Sequence, residues 1–434
     1  MSLHSSIPPL ISADSLRFNL EWVQMLFEVA DVVWVGLSGG VDSHVLLHLL
    51  VSVITVKQRE RLAVIHIHHG LNSNADNWLK HCENICSGLG VRFVAKRVVL
   101  KAQSSVEEAA RNARYQAYEH VLGQYDVLLL AHHAGDQAET VLFRLLRGTG
   151  GKGLAGMSQE RKLASARLHR PLLRVSKADI LACAKQHALD WIEDESNNNE
   201  TFTRNFLRRR VLPIVAERFP QLERNLFVTA KRISTDYEML SELAESQLEA
   251  WSTPTGGLML YHMRPLPLAK RLFWLQHFLK KKGVSLPYAQ LASVDTMVFG
   301  AADKQPEFCF SSGRIMRHQN SVYLLPVEQK PQLGKVLSGQ VFERAFDRVL
   351  VEGDGDFSLR ERPHSALLMM PSGQHRKLKK WLNDQKVPSW WRAHLPYLYL
   401  DDELIAIGAL WNHPDYLGVK VDWRLTAGLP FPLF

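Results

Sequence analysis

The sequence predicts an α/β protein: a Rossmann-like parallel sheet first, then a helical middle domain, then a small mixed α+β C-terminal domain. Three observations carry this expectation. Short runs rich in Val, Ile and Leu alternate with longer helical-period segments through the first half. From about Arg204 the chain turns to long helical segments, and past Pro326 it returns to short strand-like pieces separated by turns.

In chain order, strands are predicted at Val32–Leu37, Ala63–His68, Arg92–Val99 and Val127–Ala131. Helices are predicted between and after them at Val41–Val56, Asn74–Leu89, Ser104–Leu122 and Asp136–Arg147, with Ser104 and Glu107 spaced as a capping box. Strands alternating with helices imply right-handed crossovers and a parallel sheet covered on both faces, with ligands at the carboxyl ends of the strands. Further on, Gln221–Glu249 and Leu266–Lys282 read as helices separated by a break at Pro254-Thr255-Gly256-Gly257. The turns Gly353-Asp354-Gly355-Asp356 and Pro371-Ser372-Gly373 and a hairpin around Asp401-Asp402 mark the last part. The expected domains are 1–215, 216–333 and 334–434.

Composition narrows the class. With 434 residues, 46% hydrophobic and 22% charged, the chain has the makeup of a folded multidomain protein rather than a disordered one. The net charge of +8 splits evenly about Val215, so no basic tail exists and only local clusters point to an anionic partner. Four cysteines, Cys82, Cys86, Cys183 and Cys309, form neither a disulfide framework nor a C-x-x-C metal motif, which favours the reducing cytoplasm. The most apolar run, Val45–Val56, contains His48 and falls short of the roughly 20 residues of a membrane helix, so no membrane association is expected.

The most informative stretch is Ser38-Gly39-Gly40-Val41-Asp42-Ser43, between the first strand and its helix. Two glycines let the backbone approach an anion, and the N–H groups opening the helix face it with the positive end of the dipole. Ser38 and Ser43 add hydroxyls, and Asp42 offers a carboxylate to a Mg²⁺ ion. A bare turn with Asp42 and Ser43 as caps is the plainer alternative. The loop has no lysine and so differs from G-x-x-x-x-G-K-[ST]. Gly148-Thr149-Gly150-Gly151-Lys152-Gly153 matches G-x-G-x-x-G by letter but follows a helix, so dinucleotide binding is not expected there, and a flexible active-site loop is.

Other constellations offer chemistry and an ordinary alternative each. Arg111 and Arg114 share a helix face suited to phosphate, although Glu107 and Arg111 are also spaced as a surface pair. Asp136 and Glu139 share a face beside His132 and His133, suited to holding an amino group and taking its proton, or simply to complementing a helix dipole. His66, His68, His69, His132 and His133 fall near strand ends, and structural or nucleotide-contact roles are favoured over a metal. Arg204, Arg208, Arg209 and Arg210 form one basic cluster, and Arg376, Lys377, Lys379 and Lys380 a second; each suits phosphate contacts or a solvated face. Trp381, Trp390 and Trp391 near the second add surfaces for base stacking.

Together these motifs resemble the tRNA(Ile)-lysidine synthetases, members of the PP-loop ATP pyrophosphatase group. The resemblance rests on Ser38–Ser43, His68-His69-Gly70-Leu71, Ala110-Arg111 with Arg114-Tyr115, His133 with Asp136-Gln137 and Glu139-Thr140, Arg147-Gly148-x-Gly150-x-x-Gly153-Leu154 and Arg170-Pro171-Leu172-Leu173. Asp194-Glu195-Ser196-Asn197, Arg204-Asn205-x-x-Arg208, Gly373-x-x-Arg376 to Lys380 and Val387-Pro388 follow in the family's order. It is strong from Val32 to about Arg210, clear from Gly373 to Pro396 and weak between. One departure stands out: the family reads Asp-Asp-Gln where this chain has Gly135-Asp136-Gln137.

The resemblance implies ATP and Mg²⁺ as cofactors, and free L-lysine and tRNA(Ile) with a CAU anticodon as partners. The reaction would adenylate the wobble cytidine and then ligate lysine to its carbon 2, releasing pyrophosphate and AMP. Ser38, Gly39, Gly40, Val41, Asp42 and Ser43 would bind ATP, with Asp42 also holding Mg²⁺. Arg111 would face the α-phosphate, His133 the nucleotide, and Asp136 with Glu139 the amine. Arg204, Asn205, Arg208, Arg376, Lys377, Lys379 and Lys380 would contact tRNA. A PP-loop tRNA thiolase and a tRNA-binding paralogue without catalysis are the alternatives. Oligomeric state leaves no mark in the sequence.

Overall fold

The structure, a computed structural model, describes residues 16–70, 74–99, 106–194, 199–300, 307–426 and 428–432. The chain divides into two compact units, Met1–Glu238 and Met239–Phe434.

The first unit is built on a six-stranded sheet in the order β3-β2-β1-β4-β6-β5. Its strands are β1 Val33–Gly36, β2 Leu62–His68, β3 Arg92–Arg97, β4 Val127–Leu129, β5 Glu160–Leu163 and β6 Ala166–His169. All pairs are parallel except β5 with β6. Every residue of β1 and β2 is buried, as expected of central strands covered on both faces. The β5–β6 hairpin was not anticipated. Arg161, Lys162 and Arg167 interrupt its apolar pattern, and at the sheet's edge such side chains reach solvent without penalty.

Helices α1 Leu20–Val29, α2 Val41–Val51, α3 Val56–Arg59, α4 Ala75–Leu89, α5 Val106–Val121, α6 Ala134–Leu146, α7 Gly151–Leu154 and α8 Lys177–Gln186 follow. The helix expected to run to Val56 ends at Val51. Thr55 and Gln58 start a separate turn there through a capping box, which favours a new N-terminus over continuation. The cap expected from Ser104 lies outside the described residues, as do Leu71 and Glu195-Ser196-Asn197 of the sequence motifs. Asp126, buried just before β4, accepts from Trp34 Nε1 on β1 at 2.9 Å and from the N–H of Gly123 at 2.8 Å. This carboxylate fixes the two strands whose ends carry the site.

After α8 come α9 Thr203–Phe206, a π-helical turn Leu207–Val211, α10 Leu212–Arg218 and α11 Leu222–Ala250, whose residues up to Glu238 belong to the first unit. The second unit contains helices α12 Leu268–Lys281 and α13 Tyr288–Phe299. It also has a four-stranded antiparallel sheet of β7 Leu258–Met259, β8 Glu307–Phe310, β9 Gly313–His318 and β10 Ser321–Leu325. The helical segments expected here are present; the sheet is an addition that short strands flanked by charged residues concealed. Beyond Gly334 lie small antiparallel sheets, including the hairpin of Tyr397–Leu400 with Glu403–Ile407, and the short helix α14 Leu378–Asp384. Their core is aromatic: Trp381, Trp390, Trp391, Tyr397 and Trp423 are all buried.

Candidate active site

The loop after β1 is a tight turn closed by its own serines. Gly39 sits at φ 91°, a conformation that favours glycine, and Gly40 caps α2 in extended backbone. The Ser43 hydroxyl accepts from the Ser38 N–H at 3.1 Å and donates to the Gly40 carbonyl at 3.0 Å, and the two serine Oγ atoms lie 3.1 Å apart. A later segment stitches onto the loop, for the Ile192 N–H donates to the Gly39 carbonyl at 2.9 Å.

The loop lacks a lysine of its own, but the fold brings one. Lys177, at the start of α8, places Nζ 2.5 Å from Asp42 Oδ1. Sequence reasoning missed it because the two positions are 135 apart and no spacing rule links them. It supplies beside the loop the cation that the G-x-x-x-x-G-K-[ST] loop carries internally.

The second wall is α6 and its cap. His133 is the N-cap: its Nδ1 accepts from the Gly135 N–H at 3.0 Å, while Asp136 Oδ2 accepts from the His133 N–H at 3.0 Å. Glu139 lies one turn on, with its side chain 2% exposed. Arg208, from the π-helical turn, donates from Nε to Glu139 Oε2 at 3.0 Å and from NH2 to Asp136 Oδ1 at 2.9 Å. Arg204 Nε lies 2.9 Å from Glu107 and 3.7 Å from Glu139.

Burial raises the pKa of Glu139 despite Arg208. Burial also opposes ionisation of Asp136, but His133, His132 and Arg208 outweigh it and leave Asp136 lowered. Two neighbouring carboxylates are thus pushed apart, the pattern of a charged anchor beside a base. Burial, helped by Arg114, pushes His69 down to about 4, and burial likewise lowers His132, so both rings are neutral at pH 7. Among the described residues no group of three or more His, Cys, Asp or Glu is placed to hold a metal ion.

A cavity of about 1020 Å³ lies at the carboxyl end of the sheet. It is lined by Ser38, Gly40, Asp42 and Ser43 on one side and by His133, Asp136, Lys177 and Arg208 on others, whereas the buried Glu139 does not line it. Arg114, rather than Arg111, lines it; the Arg111 guanidinium lies over the Tyr115 ring, 5.4 Å from its centre. Gln137 of the same motif brackets Met157 through both backbone groups, at 3.1 and 2.7 Å. The Gly148–Gly153 loop folds partly into α7, and Arg144 donates to the carbonyls of Gly153 and Gly156 at 2.8 Å.

The basic clusters read differently in three dimensions. Arg204, Arg208 and Arg210 are all spent on carboxylates, Arg210 on Glu200 at 3.0 Å. Asn205, between them in sequence, donates from Nδ2 to the Asn199 carbonyl at 2.8 Å. In the second unit Arg376, Lys377, Lys379 and Lys380 are exposed, spread over the strand His375–Lys377 and the start of α14. The tryptophans expected to offer stacking surfaces do not: Trp390 and Trp391 are buried and both donate Nε1 to the Pro430 carbonyl, at 2.8 and 2.9 Å. Their value to the chain is in the core, since each indole covers more apolar area than any other side chain.

Three family descriptions match this chain: a PP-loop domain over residues 17–215, a TilS substrate binding domain over 258–323 and a TilS substrate C-terminal domain over 357–424. A tRNA(Ile)-lysidine synthase of Pseudomonas syringae pv. tomato is 36% identical over 415 residues, covering 92% of this chain and 93% of that protein. The chain belongs to the tRNA(Ile)-lysidine synthase family. Relatives of the same name in Pseudomonas aeruginosa and Legionella pneumophila strain Paris are 35% and 33% identical, covering 90% and 89% of this chain and 92% and 93% of theirs. The U34-tRNA thiolase NcsA of Methanococcus maripaludis, a solved structure, is 18% identical with a TM-score of 0.40, covering 49% of this chain and 78% of that one. With its PP-loop domain, this lysidine synthase uses ATP. Cys82 and Cys86 are buried, and burial pushes both thiols up to about 12, so neither is a ready sulfur nucleophile. Among the described residues no helix is long and apolar enough to cross a membrane.

Proposed function

We propose that this protein ligates free L-lysine to carbon 2 of the wobble cytidine of tRNA(Ile) with a CAU anticodon, in the cytoplasm. The observation that carries the reading is the meeting in one cavity of an anion-binding loop and Asp136, whose pKa is lowered and which Arg208 ties to the buried Glu139, whose pKa is raised. In the first step the cytosine carbonyl oxygen attacks the α-phosphorus of ATP and pyrophosphate leaves. The amides of the loop and of the first turn of α2, with Lys177, receive that pyrophosphate. Arg114, with Arg111 behind it, faces the charge that develops at the α-phosphate.

In the second step the lysine ε-amine attacks carbon 2 and AMP leaves with the oxygen. An ammonium is no nucleophile, so its proton must be taken. Asp136, ionised, anchors the cation, and Glu139, with the raised pKa, accepts the proton. Arg208 holds both carboxylates in place. A Mg²⁺ ion is typically held by one or two carboxylates plus substrate phosphates, and Asp42 at the loop fits that role; the ion would neutralise phosphate charge.

The test supplies purified protein with ATP, lysine and unmodified tRNA(Ile) or tRNA(Met), each with a CAU anticodon. AMP and lysidine are expected with the first tRNA alone. A cytidine left unchanged in tRNA(Ile) would refute the reading.

A further inference from the structure

A second cavity, of about 990 Å³, opens beside the candidate active site and shares Leu222 and Glu223 with it. One wall is the face of α11 that carries Arg224, Phe227 and Lys231, at helical spacing, with Arg232 beside them. The other wall carries Arg174, from the segment between β6 and α8. All four cations are exposed, and none makes an ion pair with a described residue. The contrast is with Arg204, Arg208 and Arg210, whose charges are met by carboxylates. Phe227 has one ring face under the Arg174 guanidinium, 5.2 Å away, and is itself half-buried. A row of such cations with an aromatic ring among them is the construction that holds a single strand of nucleic acid: the cations track phosphates and the ring stacks a base.

We infer that this groove holds the single-stranded nucleotides next to the base being modified, with Arg174, Arg224, Lys231 and Arg232 on their phosphates and Phe227 under a neighbouring base. The inference rests on the proposed function and adds the strand's path: from Asp136 past Glu223 and along α11. It moves the grip of the first unit on its tRNA from the Arg204–Arg210 run to a surface that no sequence motif marks.

The experiment uses the full chain with all four cations changed to Gln (R174Q, R224Q, K231Q and R232Q), the single variants R224Q and K231Q, and F227A. Lys57→Gln, an exposed lysine on α3 at the opposite end of α2 from the phosphate loop, is the control. Affinity for unmodified tRNA(Ile) is measured against salt, together with kcat and KM for each substrate. The fourfold variant is expected to raise KM for tRNA while KM for ATP and lysine stay within about twofold, since no reacting group is touched. Its salt slope should fall by about 0.7 for each single-strand phosphate that the protein no longer neutralises, and each single variant by about one such step. F227A should weaken tRNA binding between about 5- and 100-fold. Wild-type affinity and slope in these variants, or equal losses in the Lys57 control, overturn the groove. Wild-type protein that forms no lysidine overturns the functional reading instead, so the two failures are distinguishable.

Discussion

The Glu223 carboxylate lies 3.2 Å from the point at which a Cβ on Gly135 would sit. Residue 135 is where the family resemblance leads one to expect an acid, and here the fold delivers an acid from α11 to the same spot. Burial raises the pKa of Glu223, Asp136 raises it further and His133 opposes the shift, so the group lies among the reactive ones. The same Cβ would also meet His133 Cε1 at 2.8 Å, which requires the ring to move.

Gly135→Asp is therefore expected to do harm on its own, by displacing His133 and setting two carboxylates against each other. Combining it with Glu223→Ala should recover about tenfold or more of the lost kcat/KM for lysine, within the coupling expected of neighbours. Losses that simply add in the double variant would show that the two acids do not share a role.

Lys177 and Asp42 give a second prediction. Lys177→Ala should raise KM for ATP and slow AMP release by roughly 10²- to 10³-fold, the cost of removing one preorganised charge partner from a transition state. Asp42→Ala should abolish AMP release. Affinity for tRNA, measured without ATP, should stay near wild type in both, and a parallel loss of tRNA affinity would mean that the pair is structural.

Arg208→Gln removes the cation shared by Asp136 and Glu139. Because nearly half of the Arg208 side chain faces solvent, the expected loss of stability is about 1–2 kcal/mol, below the range for a fully buried pair. Arg208 lowers both acids, so its removal raises both. The acid limb of the pH–rate profile should then move to higher pH, and an unmoved limb would dissociate Glu139 from the proton transfer.

His69 predicts a pH dependence of stability. Its native pKa is about 4 against 6.5 for a free side chain. Between those values the unfolded chain binds a proton that the native ring does not, so stability is full above about pH 6.5 and falls as pH drops towards 4. The slope should reach at most about 1.4 kcal/mol per pH unit from this group. Urea midpoints of wild type and His69→Gln at pH 7 and pH 5 check it, and the variant's change should be the smaller.

Periodicity was enough for the parallel sheet, because strands buried on both faces read as near-continuous apolar runs, as β1 does and, apart from His66 and His68, β2 does. It failed for β5, β6 and the sheet of β7 to β10, where the strands are short and charged residues within or beside them cut the pattern into fragments. The phosphate loop was legible because its chemistry lies within six consecutive residues. Lys177, Glu223 and the groove along α11 were not, since each meets the site only through tertiary structure. Charge density in sequence also does not reveal pairing: the four arginines of 204–210 stand beside Glu107, Asp136, Glu139 and Glu200. The aromatic residues near Lys380 are a similar case, for composition does not distinguish a buried indole from a stacking platform.

The stitching of the phosphate loop has a consequence for the order in which the site comes into being. Asp42 waits for Lys177, 135 residues later, and His44 closes its Nδ1 on the Asp190 carbonyl, 146 residues later, at 2.7 Å. A chain emerging during synthesis carries the glycine turn long before the groups that complete it. The finished loop therefore depends on the segment from Lys177 to Ile192, and an amino-terminal fragment stopping short of that segment would hold the glycine turn without the contacts that brace it.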